Sequence, residues 1–138
     1  MKNSLQPGLE TVRRVTIDID RTIGFMGEEM RVYATPSMVL DIERTCKDLL
    51  QEHLDASENS VGARVEIDHL GATLNGMWVD IAARVEEIDR RRVTFGVEVT
   101  DELGDRVGAC RHTRFVVDLD KQKERLDAKR ARLDEARA

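Results

Sequence analysis

One long amphipathic segment constrains the fold of this chain more than any other part of its sequence. Residues 32–54 contain Thr35-Pro36, which favours a helix start because threonine can cap free backbone amides and proline fits the first helical turn. At about 100° per residue, the apolar side chains fall on one face: Met38, Val39, Ile42, Cys46, Leu49 and Leu50. The segment predicts one long helix that is capped by Thr35 and packs on another layer.

One carboxylate interrupts the apolar face of this helix. Glu43 falls on its flank, where an acidic side chain is uncommon unless it is paired or has a chemical role. Asp41 lies off the apolar face, and we expect it to be solvated. Glu43 is therefore a candidate site residue, and pairing with an arginine or lysine is the structural alternative.

Alternation of apolar and polar residues predicts one strand before the helix and one directly after it. The first covers Thr11 to Ile19 and puts Ile19 on its buried side. The second places His69 on the same side as Val65 and Ile67. A histidine in such a position is more often a hydrogen-bonded core residue than a catalytic one, so both interpretations stay open.

Three further alternating segments predict an antiparallel meander. They start near Met77, Val93 and Val107, and short turns at 89–91 and 103–105 separate them. In the last segment the odd-numbered residues are the more apolar set. They are the predicted inner side, which leaves His112 facing outward.

Three segments lie outside this regular pattern. Residues 1–10 predict a loosely packed lead, and residues 20–29 predict either a lid over a site or a plain connection. Residues 119–138 predict a charged helix that is either solvated or part of an oligomer contact. Its leucines stand at heptad spacing: Leu119, Leu126 and Leu133.

Composition limits the classes of function. A net charge of -5 argues against a nucleic-acid surface. No apolar run approaches the roughly 18 residues of a membrane span, and no signal peptide is apparent, so we expect a cytoplasmic protein. Cys46 and Cys110 form neither a metal pattern nor a disulfide framework, and no glycine-rich phosphate loop appears, so no metal and no cofactor is predicted.

The order of these elements predicts an α+β fold in one domain, residues 1–138, with its core in residues 10–118. A flat sheet would bury the apolar face of the long helix poorly. A curved antiparallel sheet wrapped around that helix, the hot-dog fold, buries it well. The charged C-terminal helix is an addition to this core.

Three blocks of the sequence resemble the fluoroacetyl-CoA thioesterase-like family of hot-dog acyl-CoA thioesterases. They are Val-Tyr-Ala-Thr-Pro-Ser-Met-Val-Leu-Asp-Ile-Glu at 32–43, the strand at 61–73, and the strand at 108–117. Their order and spacing match the family over about residues 10–118. The resemblance implies a thioester hydrolase that acts on a short or medium acyl-CoA as a homodimer or a tetramer.

The same resemblance implies a set of site residues. Thr35, Glu43 and His69 would be catalytic, and the backbone amide of Gly62 would lie near the thioester oxygen. Thioester hydrolysis needs a group that attacks the carbonyl or activates water, a donor for the developing oxyanion, and a proton for the thiolate. Glu43 suits the first task, either as a general base or as a nucleophile.

The chain departs from the family in the segment before the helix. Phenylalanines of the family's lid fall here on Met26 and Glu29, so we predict a non-aromatic and partly charged lid. Such a lid would not build the same small apolar gate. Fluoroacetyl-CoA is therefore not the expected substrate.

Two other functions stay open at this point. The chain could be a non-catalytic hot-dog module that binds an acyl-CoA without turnover, or a hot-dog enoyl hydratase or dehydratase. The sequence specifies neither the acyl chain nor the pathway, and it does not distinguish coenzyme A from acyl carrier protein.

Overall fold

A five-stranded antiparallel sheet and one long helix form the body of the computed structural model, which describes residues 1–138. The helix, α1, covers Thr35–Gln51. The sheet has the order β1-β5-β6-β7-β4. Its strands are β1 (Glu10–Thr16), β4 (Glu58–His69), β5 (Trp78–Asp89), β6 (Arg92–Asp101) and β7 (Arg106–Asp118).

The core lies between α1 and the inner face of the sheet. The predicted apolar face of α1 is buried at Met38, Ile42 and Cys46, and it meets the alternating valines and Phe95 of β5 and β6. A methyl group at Gly108 would lie 2.8 Å from the sulfur of Met38, so the helix crosses β7 closely there. The predicted helix and meander are confirmed.

The inner side of β7 is the opposite of the predicted one. Cys110, His112 and Arg114 are buried, whereas Phe115 is exposed. The prediction was wrong because it ranked the two sides by apolar content. Burial of the polar residues depends on hydrogen-bond partners from other elements, which the local pattern does not contain.

The N-terminal segment, residues 1–10, packs on the body of the protein, so the prediction that it is loosely packed is wrong. The amide of Lys2 donates to the carbonyl of His53 at 2.9 Å, and the amide of Gly8 donates to the carbonyl of Val85 at 2.7 Å. Leu5 is part of the buried core. Ile19 was also predicted wrongly, because β1 ends at Thr16 and Ile19 is exposed in a 3₁₀ turn.

A small hairpin lies between β1 and α1 in the chain. Its strands are β2 (Thr22–Ile23) and β3 (Val32–Tyr33), which pair antiparallel to each other. A second 3₁₀ turn, Glu28–Met30, lies in the connection between them. The residues around Met26 therefore stand on a hairpin that leads directly into the helix.

The chain ends in a second helix, α2 (Leu119–Ala136). The carboxylate of Asp118 accepts the amide of Lys121 and caps its first turn. No residue of α2 is buried, and its three heptad leucines are exposed. The predicted charged helix is confirmed, and neither helix is long and apolar enough to cross a membrane.

Candidate active site

The hydroxyl of Thr35 contacts a histidine rather than the helix amides. Ala34 occupies the N-cap position without a side-chain cap, and Thr35 is the first helical residue. Its Oγ1 lies 2.7 Å from Nδ1 of His69 at the end of β4. The predicted capping role of Thr35 is therefore wrong, and the structure brings Thr35 and His69 together.

His69 is partly buried, and this burial sets its protonation. Desolvation lowers the pKa of the imidazole, which outweighs a hydrogen bond to the backbone at Gly71. The ring is therefore neutral at pH 7. Either the hydroxyl of Thr35 donates to Nδ1, or Nδ1–H donates to the hydroxyl of Thr35.

A buried acid fixes the hairpin onto the helix beside this pair. Asp41 accepts the hydroxyl of Tyr33 at 2.6 Å and Nε of Arg21 at 3.0 Å. The prediction that Asp41 is solvated is wrong, because the hairpin and the 3₁₀ turn before it cover that side of α1. Burial, strengthened by the bond to Asp41, raises the pKa of Tyr33 well above its ordinary value, so Tyr33 stays a neutral donor.

A second pair of predicted site residues is formed by Glu43, whose carboxylate lies against β4, and Gly62. A methyl group at Gly62 would lie 2.9 Å from Oε2 of Glu43, so a side chain at Gly62 would displace the carboxylate. The side chain of Glu43 is 35% exposed, and Oε2 lies 3.6 Å from Nη1 of Arg114. The structural alternative named for Glu43, an arginine partner, is thus present.

Arg114 is held rigidly beneath Glu43. Its side chain is only 5% exposed. Nε donates to Oγ of Ser60 at 2.8 Å, and Nη2 donates to the carbonyl of Ser60 at 3.1 Å. Nη1 lies 3.1 Å from Nε2 of His112. With these contacts the guanidinium has one fixed orientation, and it presents positive charge to Glu43.

His112 completes this cluster and is present as one tautomer. Nδ1 lies 2.8 Å from the carbonyl of Arg64, so Nδ1 carries the proton and Nε2 accepts from Arg114. Burial lowers the pKa of His112, and the charge of Arg114 lowers it further. The sequence pattern missed His112 and Arg114 as site residues, because it assigned the wrong inner side to β7. A search for a cationic partner of Glu43 would have pointed to the arginines of β7.

The buried His112 makes stability depend on pH. Its pKa in the folded protein lies below the value of about 6.5 in an unfolded chain, so the unfolded state takes up the proton first on acidification. We expect the free energy of unfolding to fall below pH 6.5, by up to about 1.4 kcal/mol per pH unit from this group. Denaturant titrations at several pH values should show a shallower dependence in His112→Gln than in wild type. Equal slopes in wild type, His112→Gln and the control His53→Gln would contradict this account.

The two pairs lie apart within one chain. Eight residues of helix separate Thr35 from Glu43, which is about 12 Å along the axis. Seven residues of strand separate Gly62 from His69, which is about 23 Å. The chain thus brings together Thr35 with His69, and Glu43 with Gly62, but it does not bring all four residues together.

An apolar groove opens beside the first pair. It has a volume of about 430 Å³ and is lined by twelve residues, of which eight are hydrophobic and two are Thr35 and His69. Met26 lines this groove and Glu29 does not. Phe25 also lines it, so the expectation of a non-aromatic lid is wrong. No group of three or more His, Cys, Asp or Glu side chains lies close enough to hold a metal ion.

Sequence comparison identifies the family. Residues 17–120 match the fluoroacetyl-CoA-specific thioesterase family. The chain belongs to this family. The family resemblance and the hot-dog fold that the sequence predicted are confirmed. The fluoroacetyl-CoA-specific thioesterases are named for their enzyme class, the thioester hydrolases.

Similar proteins and structures agree with this assignment. A fluoroacetyl-CoA thioesterase of Streptantibioticus cattleyicolor is 31% identical over 90 residues, which cover 65% of this chain and 64% of that protein. The matched part is thus slightly under two thirds of that relative's length. A Thermus thermophilus hypothetical protein, a thioesterase superfamily member, is 29% identical with a TM-score of 0.88, over 96% of this chain and 98% of its own. A fluoroacetyl-CoA thioesterase structure with 24% identity and a TM-score of 0.81 covers 92% and 98% and shares the fold.

Proposed function

We propose that this protein hydrolyses an acyl-CoA thioester to a free acid and the coenzyme A thiol. The observation that carries the proposal is the contact of 2.7 Å between Thr35 and His69 at the mouth of an apolar groove. Membership in the fluoroacetyl-CoA-specific thioesterase family supports it. The buried thiols Cys46 and Cys110 are unpaired, which fits the reducing cytoplasm as its compartment.

The proposal includes a homodimer, because hydrolysis needs both the Thr35–His69 pair and the Glu43–Gly62 pair at one thioester. Strand β4 lies at the edge of the sheet and carries both Gly62 and His69. An exposed edge strand of twelve residues can pair with a second copy of itself about a two-fold axis. An axis between Val65 and Glu66 would set Gly62 opposite the partner subunit's His69, since both lie equally far from it.

Each of the two sites would then combine both pairs. Thr35 and His69 come from one subunit, and Glu43 comes from the other with Gly62 beside it. Glu43 takes a proton from water as the water oxygen bonds to the thioester carbon. Alternatively, Glu43 attacks that carbon itself, and water then hydrolyses the resulting anhydride to the free acid and restores the carboxylate. The carbon–sulfur bond then breaks. The proton that Glu43 took from water reaches the leaving thiolate through His69, which takes up one proton as it gives one up and so returns to its neutral form.

Arg114 serves this mechanism without touching the substrate. Its fixed guanidinium holds the carboxylate of Glu43 against β4, with Nη1 3.6 Å from Oε2. His112 and Ser60 hold the guanidinium in place. Arg114 is thus a positioning residue for Glu43.

Release of free thiol from purified protein and acyl-CoA tests the proposal. Wild type is expected to release one thiol per thioester consumed, and His69→Ala is expected to lose most of this activity. His53→Ala is the matched control, because His53 contacts Ser4 far from the site. Binding of acyl-CoA without thiol release, or conversion of an enoyl-CoA to a hydrated product in its place, would contradict the proposal.

A further inference from the structure

The groove beside Thr35 and His69 exposes an unusual amount of apolar surface. Ile23, Phe25, Met26 and Leu70 all line it, and all four side chains are exposed. Phe25 is 76% exposed, which is high for a side chain of its size. Adjacent exposed apolar side chains around a concave site mark a place where an apolar group binds.

Charge excludes several ligands from this groove. No Asp, Glu, Lys or Arg lines it. Two arginines of the neighbouring segment are already paired. Arg31 Nε, in the hairpin connection, lies 2.7 Å from Glu28, and Arg21 Nε, in the 3₁₀ turn before the hairpin, lies 3.0 Å from Asp41. No free cation is therefore available to a phosphate or to the second carboxylate of a dicarboxylic acyl group.

From these observations we infer that the groove binds the acyl part of the substrate, and that this part is a neutral chain longer than acetyl, with Phe25 a specificity-determining residue. The inference rests on the proposed thioesterase function. A groove of about 430 Å³ lies in the range of sites that hold a whole small ligand, which is far more than a two-carbon acyl group fills.

The expected signature is a dependence of specificity on chain length. Each methylene that moves from water into the groove should raise kcat/KM about fourfold, until the groove is filled. A neutral six-carbon chain should therefore be hydrolysed far more efficiently than acetyl. A succinyl chain should be a poor substrate, because its carboxylate finds no partner.

Steady-state kinetics with acetyl-, butanoyl-, hexanoyl- and succinyl-CoA test this inference. In Phe25→Ala, kcat/KM for hexanoyl-CoA should fall about three- to tenfold, and the value for acetyl-CoA should stay within twofold. Leu103→Ala is the matched control, because Leu103 is also 76% exposed but lies on the loop between β6 and β7. It should leave the profile unchanged.

The outcomes separate this inference from the proposed function. Hydrolysis of acetyl-CoA that does not rise with chain length, or a profile unaffected by Phe25→Ala, would overturn the inference and leave the thioesterase intact. Absence of thiol release from every acyl-CoA would overturn both. Dissociation of Phe25→Ala into monomers in size-exclusion chromatography would also overturn the inference, since the exposed side chains would then be a contact between subunits.

Discussion

Glu43→Gln is expected to lower kcat for acyl-CoA hydrolysis by about 10² to 10⁴, with KM nearly unchanged. Glutamine has the size of glutamate but lacks the basic oxygen that would take a proton from water or attack the thioester. Because Arg114 keeps its hydrogen bonds to Ser60 and His112 in this variant, the packing around the guanidinium should persist. Steady-state kinetics, with thermal unfolding to check the fold, measure the effect.

Glu52→Gln is the control for this substitution. Glu52 is an exposed glutamate at the C-terminal end of the same helix. It should keep wild-type kinetics. A kcat of Glu43→Gln within threefold of wild type, in a protein that unfolds normally, would show that Glu43 does no chemistry.

Arg114→Met is expected to lower kcat by about 10- to 100-fold. The change leaves Glu43 without its cation and removes a donor from both Ser60 and His112. Loss of these buried hydrogen bonds should also cost about 1–3 kcal/mol of stability. Activity measurements on a folded sample, compared with urea titrations, separate the two effects.

Two further variants distinguish positioning from stability. Arg114→Lys keeps the charge but loses the fork that contacts Ser60, so it should recover part of kcat. Arg111→Met removes an exposed arginine from the outer side of the same strand and should change nothing. If Arg114→Met has the kcat of wild type, Arg114 has no role in the mechanism, even when the variant is less stable.

The regular parts of the fold were predictable because periodicity reports burial directly. The apolar face of α1 and the alternation in β5 and β6 follow from the sequence pattern alone. In β7 the same method failed, because the inner side carries His112 and Arg114. Their burial depends on Ser60 and Arg64, about fifty residues earlier in the chain.

The misassigned helix cap has a similar cause. Threonine before proline is a strong local signal for a cap. Here Oγ1 of Thr35 instead meets His69, which lies 34 residues further along the chain. A contact between distant residues thus replaced a local one, and only the assembled sheet could reveal it.

The division of the predicted site into two pairs could have been anticipated. Eight helical residues between Thr35 and Glu43 imply about 12 Å, which is too far for both to contact one carbonyl group. What the sequence does not contain is the position of the edge strand β4, because the sheet order depends on pairings between distant segments. That position is the basis for proposing a second subunit.

Mixing two inactive variants tests the shared site most directly. His69→Ala and Glu43→Gln should each be inactive alone. After they are unfolded together and refolded as an equimolar mixture, about half of the dimers should carry one subunit of each kind, and one of the two sites in such a dimer has both residues intact. The mixture should regain about a quarter of wild-type activity. If each site lies within one subunit, the mixture will stay as inactive as its parents, and that result would contradict the account.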